Sequence, residues 1–511
     1  MNTYLYELPT TGAISFADFC VDTTPDNAHA SHIAEATQAR ANLRGALKEI
    51  KRVEGADKDY LRLIKALEDY LPQLYGIISC IASGEIRLRN EPMVSWRTTL
   101  SSSLFHTSPR LSLPSLHADL ASSILTYGMA LSNFARSTVR SLGTYERERA
   151  ISDKERKEKD SQLEVAVKLL CRASGVFQFL CDDVLVEWEK AEGGGGWTRP
   201  PDLSREVNSA LAKMALVDAQ TLAIRKLLSK SAFDSTLSPG PPLPKSHPST
   251  ALIAKLHLEC AALYESARGM AAVAGKARAS NMSKTSKLTA ADGSGGTAEV
   301  SPALLKHLSD ATAFHTALAH KWLGVDAGEN GGQAKGGEAV GFLTWAKREL
   351  EELEGGGVSL KSLSIGKDRG VEKEKSGGIG GKRKGEIVQE LHSVKTFLTH
   401  YKKINDSLTF QPVPPLPDLQ ARIPTGRLAV TTKPYAQPVP AFGPGLDGYS
   451  QTRVLEEALV TGPSDDGSLD HIKTQAGGLK LDDDSSDSER SNQGLGTGRA
   501  ARTYAGAGSY F

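Results

Sequence analysis

The chain has 511 residues, enough for two to four ordinary domains or one large elongated one, and 40% of them are hydrophobic. Its formal net charge of +1 gives no bulk attraction to nucleic acid or to a membrane, so either would need a local patch, and no nucleic-acid partner is expected. The five cysteines, at 20, 80, 171, 181 and 260, form no CxxC or Cys/His cluster and read as reduced, mostly buried thiols of a cytosolic protein.

The first residues, MNTYLYELPTTGAISFADF, lack a basic region and a long apolar core, so they do not read as a signal peptide. No run approaches the ~18 apolar residues of a membrane span. Residues 3–20 read as an extended entry. Helical periodicity starts near Ala28, with Ala36, Leu43, Leu47 and Ile50 on the inner face and Gly55 as the stop. A second helix is predicted from Lys58 to about Ala82, with Tyr60, Leu63, Leu67, Tyr70, Leu74 and Ile77 on one stripe and a kink at Pro72. Val94 and Trp96 alternate in a short edge-strand pattern over 93–96. Long helices are expected over about 113–142 and 152–190, separated by a charged crossing, and Gly193–Gly196 read as a turn.

Two consecutive helices, about 205–228 and 249–277, organise the chain. In the second, Leu252, Leu256, Cys260, Leu263, Ala267 and Met270 recur at steps of 4, 4, 3, 4 and 3, which is one stripe of an α-helix. In the first, Val207, Leu211, Met214, Asp218, Leu222 and Arg225 follow the same rhythm with two charged positions. Part of its apolar face therefore falls to Ala215, Leu216, Ala219 and Ala223. Small residues there let two axes approach closely, as in a helical hairpin.

Residues 282–300 read as a polar loop. Leu304, Leu308, Ala311, His315, Leu318 and Trp322 mark the next helix, and another spans about 336–354. Residues 355–385 read as a Gly/Lys-rich disordered insert. A last helix, about 386–406, turns Ile387, Leu391, Val394, Leu398 and Tyr401 inward, and a Pro-rich extended stretch follows to about residue 445. The predicted organisation is one nearly all-α, solenoid-like domain over 1–450 with a short N-terminal β element, followed by a disordered acidic Ser/Gly-rich tail over 451–511.

Motifs for chemistry are scarce. HExxH, GxSxG and GxxxxGK[ST] are absent, and GGIGGKRKG at 377–385 has Arg where a phosphate loop needs Ser or Thr. His307, His315 and His320 share a helix without the i, i+4 spacing of metal ligands. Trp96, Trp188, Trp322 and Trp345 read as core anchors, and Lys382, Arg383 and Lys384 as part of a solubilising insert. No catalytic residue, cofactor or metal site is assigned, and the chain reads as non-enzymatic.

The order of four stretches is similar to that of the Bro-one domain, the boomerang-like helical domain of ESCRT adaptors such as Alix. They are VSWRTTL at 94–100, AVKLLCRASGVFQFLCDDV at 166–184, the hairpin MALVDAQTLAIRKL with LIAKLHLECAALYESA, and GEAVGFLTWAKREL with INDSLTFQPVPPLPDL. The resemblance covers about 1–445. Asp218 and Thr221 depart from the family pattern, and no heptad-rich region follows. The chain most resembles single-domain fungal members that act in ambient alkaline-pH signalling.

The resemblance implies an adaptor whose hairpin face binds the C-terminal helix of the polymer-forming ESCRT-III subunit of the Snf-seven type. Carried over, Leu252 and Leu256 are apolar contacts with Lys255 between them, and Leu222 and Ala223 lie on the facing helix. From the residues alone, Leu252 and Leu256 are equally readable as core. The resemblance further implies membrane-associated components of a pH-signalling complex as partners. It implies a cytoplasmic protein recruited to the plasma or endosomal membrane; the alternative is a direct membrane-curvature scaffold in endosomal sorting, whose convex face and basic insert touch anionic lipid.

Overall fold

The structure is a computed structural model, and it describes residues 3–53, 58–101, 110–191, 199–238, 240–285, 300–355 and 380–444. The expected stop at Gly55, the Gly193–Gly196 turn, most of the 282–300 loop, most of the 355–385 insert and the whole tail lie outside those residues.

Ten helices of seven residues or more follow one another among the described residues: α1 (Ala30–Arg52), α2 (Tyr60–Ser83), α3 (Leu116–Leu142), α4 (Asp153–Phe179), α5 (Leu185–Ala191), α6 (Arg205–Leu237), α7 (Thr250–Thr285), α8 (Pro302–Asn330), α9 (Gly336–Glu354) and α10 (Gly380–Ile404). A short α11 (Leu416–Gln420) comes last. Each long helix packs on the next: α1 on α2, then α3, α4, α6, α7, α8, α9 and α10 in turn. Such a succession of near neighbours is how a helical array closes one continuous core. The helix starts are written locally: the Asp59 carboxylate accepts the Arg62 N–H, Ser152 and Glu155 form a reciprocal capping box, and the Ser204 hydroxyl accepts the Val207 N–H. Gly84 ends α2 at φ 82°, a conformation that costs glycine little.

The β content exceeds the single edge strand expected. β1 (Cys20–Asp22) pairs antiparallel with β2 (Ile86–Leu88), and β3 (Met93–Arg97) with β4 (Arg110–Pro114), placing Trp96 opposite Leu111. β4 takes the first residues that periodicity gave to α3. The helix expected over 152–190 is interrupted by a π-turn at Leu180–Val184, so α4 and α5 are distinct. α10 begins at Gly380, within the stretch expected to be a disordered insert. Trp96, Trp188 and Trp322 are buried, but Trp345 is only half-buried, stacked 3.7 Å from the His320 ring.

One buried polar cluster ties the N-terminal elements together. Arg40 of α1 donates to both carboxylate oxygens of Asp119 on α3, at 2.9 and 2.8 Å, and Trp96 of β3 donates to the same carboxylate at 2.6 Å. Tyr70 of α2 completes the set through its hydroxyl. Burial by itself raises the Asp119 pKa, but the guanidinium and the converging donors outweigh it and hold the carboxyl below its ordinary value.

Candidate functional site: the α6–α7 face and its strap

The charged positions of α6 are resolved by specific partners. Asp218 accepts a hydrogen bond from Tyr264 of α7 at 2.5 Å, and Arg225 pairs with Glu146 at 2.9 Å. Each charge therefore sits in the helix contact without being left bare. Among the small residues of the hairpin, Ala215 and Ala219 are buried, while Leu216 and Ala223 are half-buried.

The five expected contact residues divide into two groups. Leu252, Lys255 and Ala223 are half-buried and reachable from solvent. Leu222 and Leu256 are 0% and 3% exposed, so they belong to the core and support the face from beneath. A partner cannot touch those two as the protein stands. Next to the hairpin, Leu216, Leu263 and Ala212 line a cleft of about 250 Å³ together with Gln178 and Lys213.

A feature missed from the sequence is the path of residues 421–444. Its prolines mark it as extended without showing where it goes. It runs back over the helices as a strap. The Arg427 N–H donates to the Lys255 carbonyl at 3.0 Å, and a Cβ on Gly426 would stand 2.5 Å from the Glu259 carboxylate. The strap thus crosses α7 between Leu252 and Leu263. Gln220 of α6, fully buried, clamps it: its Nε2 donates to the Leu256 and Arg427 carbonyls at 2.9 and 3.2 Å, and its Oε1 accepts the Ala429 N–H at 2.8 Å. Further on, the Lys433 N–H donates to the Cys171 carbonyl of α4 at 3.1 Å, and Phe442 stacks on His32 of α1 with centroids 4.5 Å apart. Gln220, and Gly175 of α4 on which the Lys433 carbonyl rests, sit in two of the four stretches that carry the family resemblance, so their types were legible before their task was.

Metal and nucleophile chemistry is sparse here. The only His/Cys/Asp/Glu trio among the described residues with donor atoms within 4.8 Å of one another is His29, Cys80 and Glu85, far along the array from the hairpin. His29 Nε2 lies 2.8 Å from Glu85 Oε2 and 3.8 Å from Cys80 Sγ. An ion between the first pair would require them to move apart, so the close contact is an imidazole–carboxylate hydrogen bond. Burial pushes the Cys260 thiol up to about 12, and those of Cys171 and Cys181 up to about 11. They stay protonated and poorly nucleophilic at neutral pH. The Nδ1 of His315 lies 2.9 Å from Nδ1 of His257 in the core.

The sequential helical array, the paired short strands and the hairpin with its strap define a class. A model of the BRO1-like domain matches residues 18–446, and the chain belongs to that family. Over 496 residues it is 36% identical to the pH-response regulator protein palC of Cryptococcus neoformans var. neoformans serotype D (strain B-3501A), covering 91% of this chain and 98% of that protein. It is 27% identical to palC of Emericella nidulans (strain FGSC A4), over 93% of this chain and 96% of that one. Among solved structures, the "ALIX BRO1 CHMP4C complex" is similar with a TM-score of 0.53 at 17% identity, covering 88% of this chain and 100% of that one. A structure described as "Structure basis for endosomal targeting by the Bro1 domain" matches with a TM-score of 0.51 at 14% identity, over 85% and 94% of the two chains. At these identities the structural likenesses establish the fold: a mostly α BRO1-type array.

Proposed function

We propose that this protein is a non-enzymatic adaptor whose α6–α7 face takes the C-terminal helix of a polymer-forming ESCRT-III subunit. In a pH-response role of the kind its palC relatives carry in their names, that binding supports ambient alkaline-pH signalling ending in proteolytic activation of a transcription factor. The observation that supports the site is Leu252: an apolar residue left half-buried on the hairpin, beside Lys255, over a floor made solid by Leu222 and Leu256. A solved BRO1 relative of the same fold is described in complex with CHMP4C.

The recognition is helix-in-groove: an amphipathic peptide lays apolar anchors against an apolar face. Micromolar affinity requires about −8 kcal/mol, and each buried Leu supplies roughly 1.5–3 kcal/mol before ordering costs. A few anchors suffice, so one carboxylate at Leu252 abolishes binding. The strap crossing α7 at Lys255 and Glu259 limits how far a peptide extends along that helix toward Leu263. Binding of a labelled ESCRT-III C-terminal helix peptide to the parent and to Leu252→Asp tests the proposal.

No described helix is long and apolar enough to cross a membrane. In this proposal the protein is cytoplasmic and reaches the plasma or endosomal membrane peripherally, through ESCRT-III and membrane-associated pH-signalling components. Direct attachment to a lipid surface is a second reading, and the loop after α10 favours it.

A further inference from the structure

The loop Asn405–Leu416 presents large apolar side chains to solvent from a braced frame. Leu408 and Phe410 are each 73% exposed and Val413 is 51% exposed, an uncommon display for residues of this size on one short segment. The loop closes through a π-turn, with the Phe410 N–H on the Asn405 carbonyl at 2.7 Å. The Asn405 side chain is buried beneath it. Its Oδ1 accepts from the Thr409 hydroxyl at 2.6 Å and from the Gln411 N–H at 3.1 Å, and its Nδ2 donates to the Gln411 carbonyl at 2.9 Å.

The frame is seated on the start of α9, where two glycines permit a close approach. A Cβ on Gly336 would stand 2.6 Å from Asn405 Oδ1, and one on Gly337 2.1 Å from the Pro412 carbonyl oxygen. Phe410 itself has φ 52°, a left-handed conformation that bulky residues rarely hold. So the fold fixes an aromatic ring pointing away from its own core, at the cost of backbone strain.

The charges nearby select the partner. Lys402 and Lys403, in the last turn of α10, and Lys335, just before α9, are exposed, and none forms an ion pair with a described residue. Asp406 is the exposed acid of the loop and Asp418 that of α11 just beyond it, two against three lysines, while Glu338 is occupied by Arg422 at 2.8 Å. Apolar tips on a loop flanked by exposed lysines match an anionic bilayer interface, where rings and Leu side chains enter the acyl boundary and ammonium groups stay with the headgroups. We infer that the Leu408–Phe410 loop is a wedge that inserts into the interface of an anionic membrane. It attaches the protein to lipid at a site separate from the α6–α7 face.

The test uses the full chain with vesicles of phosphatidylcholine alone or with phosphatidylserine added. The parent sediments with the phosphatidylserine vesicles. The double variant Leu408→Ser/Phe410→Ser partitions at least about tenfold more weakly, because two apolar side chains no longer leave water. Its thermal melt stays that of the parent, since both side chains are exposed in the folded protein. Lys402→Glu/Lys403→Glu weakens binding to phosphatidylserine vesicles and leaves the weak background on phosphatidylcholine unchanged.

Insertion is read directly with Phe410→Trp, whose added fluorescence, after subtracting the parent, is quenched by lipids brominated near the glycerol end of the chain. The double Ser variant keeps ESCRT-III peptide binding, and Leu252→Asp keeps lipid binding, which separates this inference from the adaptor proposal. Sedimentation that ignores the Ser variants, or a Phe410→Trp signal untouched by brominated lipid, overturns it and assigns the loop to a protein contact instead.

Discussion

A Cβ atom placed on Gly175 of α4 would stand 1.8 Å from the carbonyl oxygen of Lys433, 258 residues later in the chain. That distance is well inside any allowed contact, so the glycine exists to let the strap lie directly on the helix backbone. The same logic holds at Gly76, where a Cβ would stand 2.7 Å from the Phe442 ring. The strap is therefore part of the packed fold, and the helices are shaped to receive it.

Gly175→Ala forces the strap away from α4. We expect a loss of about 1–3 kcal/mol, the usual cost of overpacking. Urea denaturation measures the loss, and limited proteolysis should show new cleavage within 421–444 while the helices remain protected. A variant as stable and as resistant as the parent contradicts the close approach.

Gln220→Ala removes the clamp that holds Arg427 and Ala429. The buried Leu256 carbonyl and the part-buried Ala429 N–H and Arg427 carbonyl lose a partner each, which costs about 1–3 kcal/mol in all. Hydrogen exchange at Ala429 is the sharp readout: its amide should exchange faster in the variant, while the amides within α6 change little.

Arg40 and Asp119 form a buried pair, each 1% exposed at the side chain. Removing one partner leaves the other charged and unpaired, so Arg40→Met should cost about 3–5 kcal/mol. The pH dependence follows from the depressed carboxyl of Asp119. A folded pKa below the unfolded value, ~3.9, means the stabilisation is complete above that value and is lost as pH falls through the folded pKa. Stability measured between pH 5 and pH 2 should fall in the parent, and less steeply in Asp119→Asn.

His257 is a second titration with the same direction and a different window. Burial, with Lys321 nearby, lowers its pKa to about 3. The unfolded chain takes up this proton near pH 6.5 and the folded protein does not, so stability declines from about pH 6.5 downward, at up to ~1.4 kcal/mol per pH unit, and levels off only near pH 3. His257→Gln should flatten that part of the profile, as followed by urea midpoints between pH 7 and pH 4. An unchanged slope contradicts a neutral, buried imidazole.

Much of this protein is legible in the sequence because long helices advertise themselves through a 3.6-residue period. The stripes over 60–77, 304–322 and 387–401 all face the core, apart from edge positions such as Leu398, which is half-buried. The hairpin was legible for the same reason, and its ordered neighbours carried the family. Short strands were not: β1 and β2 are three residues each, too short for alternation to stand out. The π-turn at 180–184 leaves no mark on composition. The strap escaped because its contacts are backbone hydrogen bonds at long sequence separation, and a Pro-rich segment shows extension without showing where it goes. Leu222 and Leu256 look like surface anchors by alignment of motifs, whereas burial depends on what α6, α7 and their neighbours cover.

The measurement that bears most directly on the central claim is fluorescence anisotropy of a labelled C-terminal helix peptide from a CHMP4-type ESCRT-III subunit, titrated with the parent and with Leu252→Asp. A circular-dichroism melt of the variant accompanies it. Binding by the parent should be saturable, and at least about a hundredfold weaker in a variant that melts like the parent, as one charge replaces a buried anchor. Absence of binding by the parent, or equal binding by the folded variant, contradicts the assignment of the α6–α7 face.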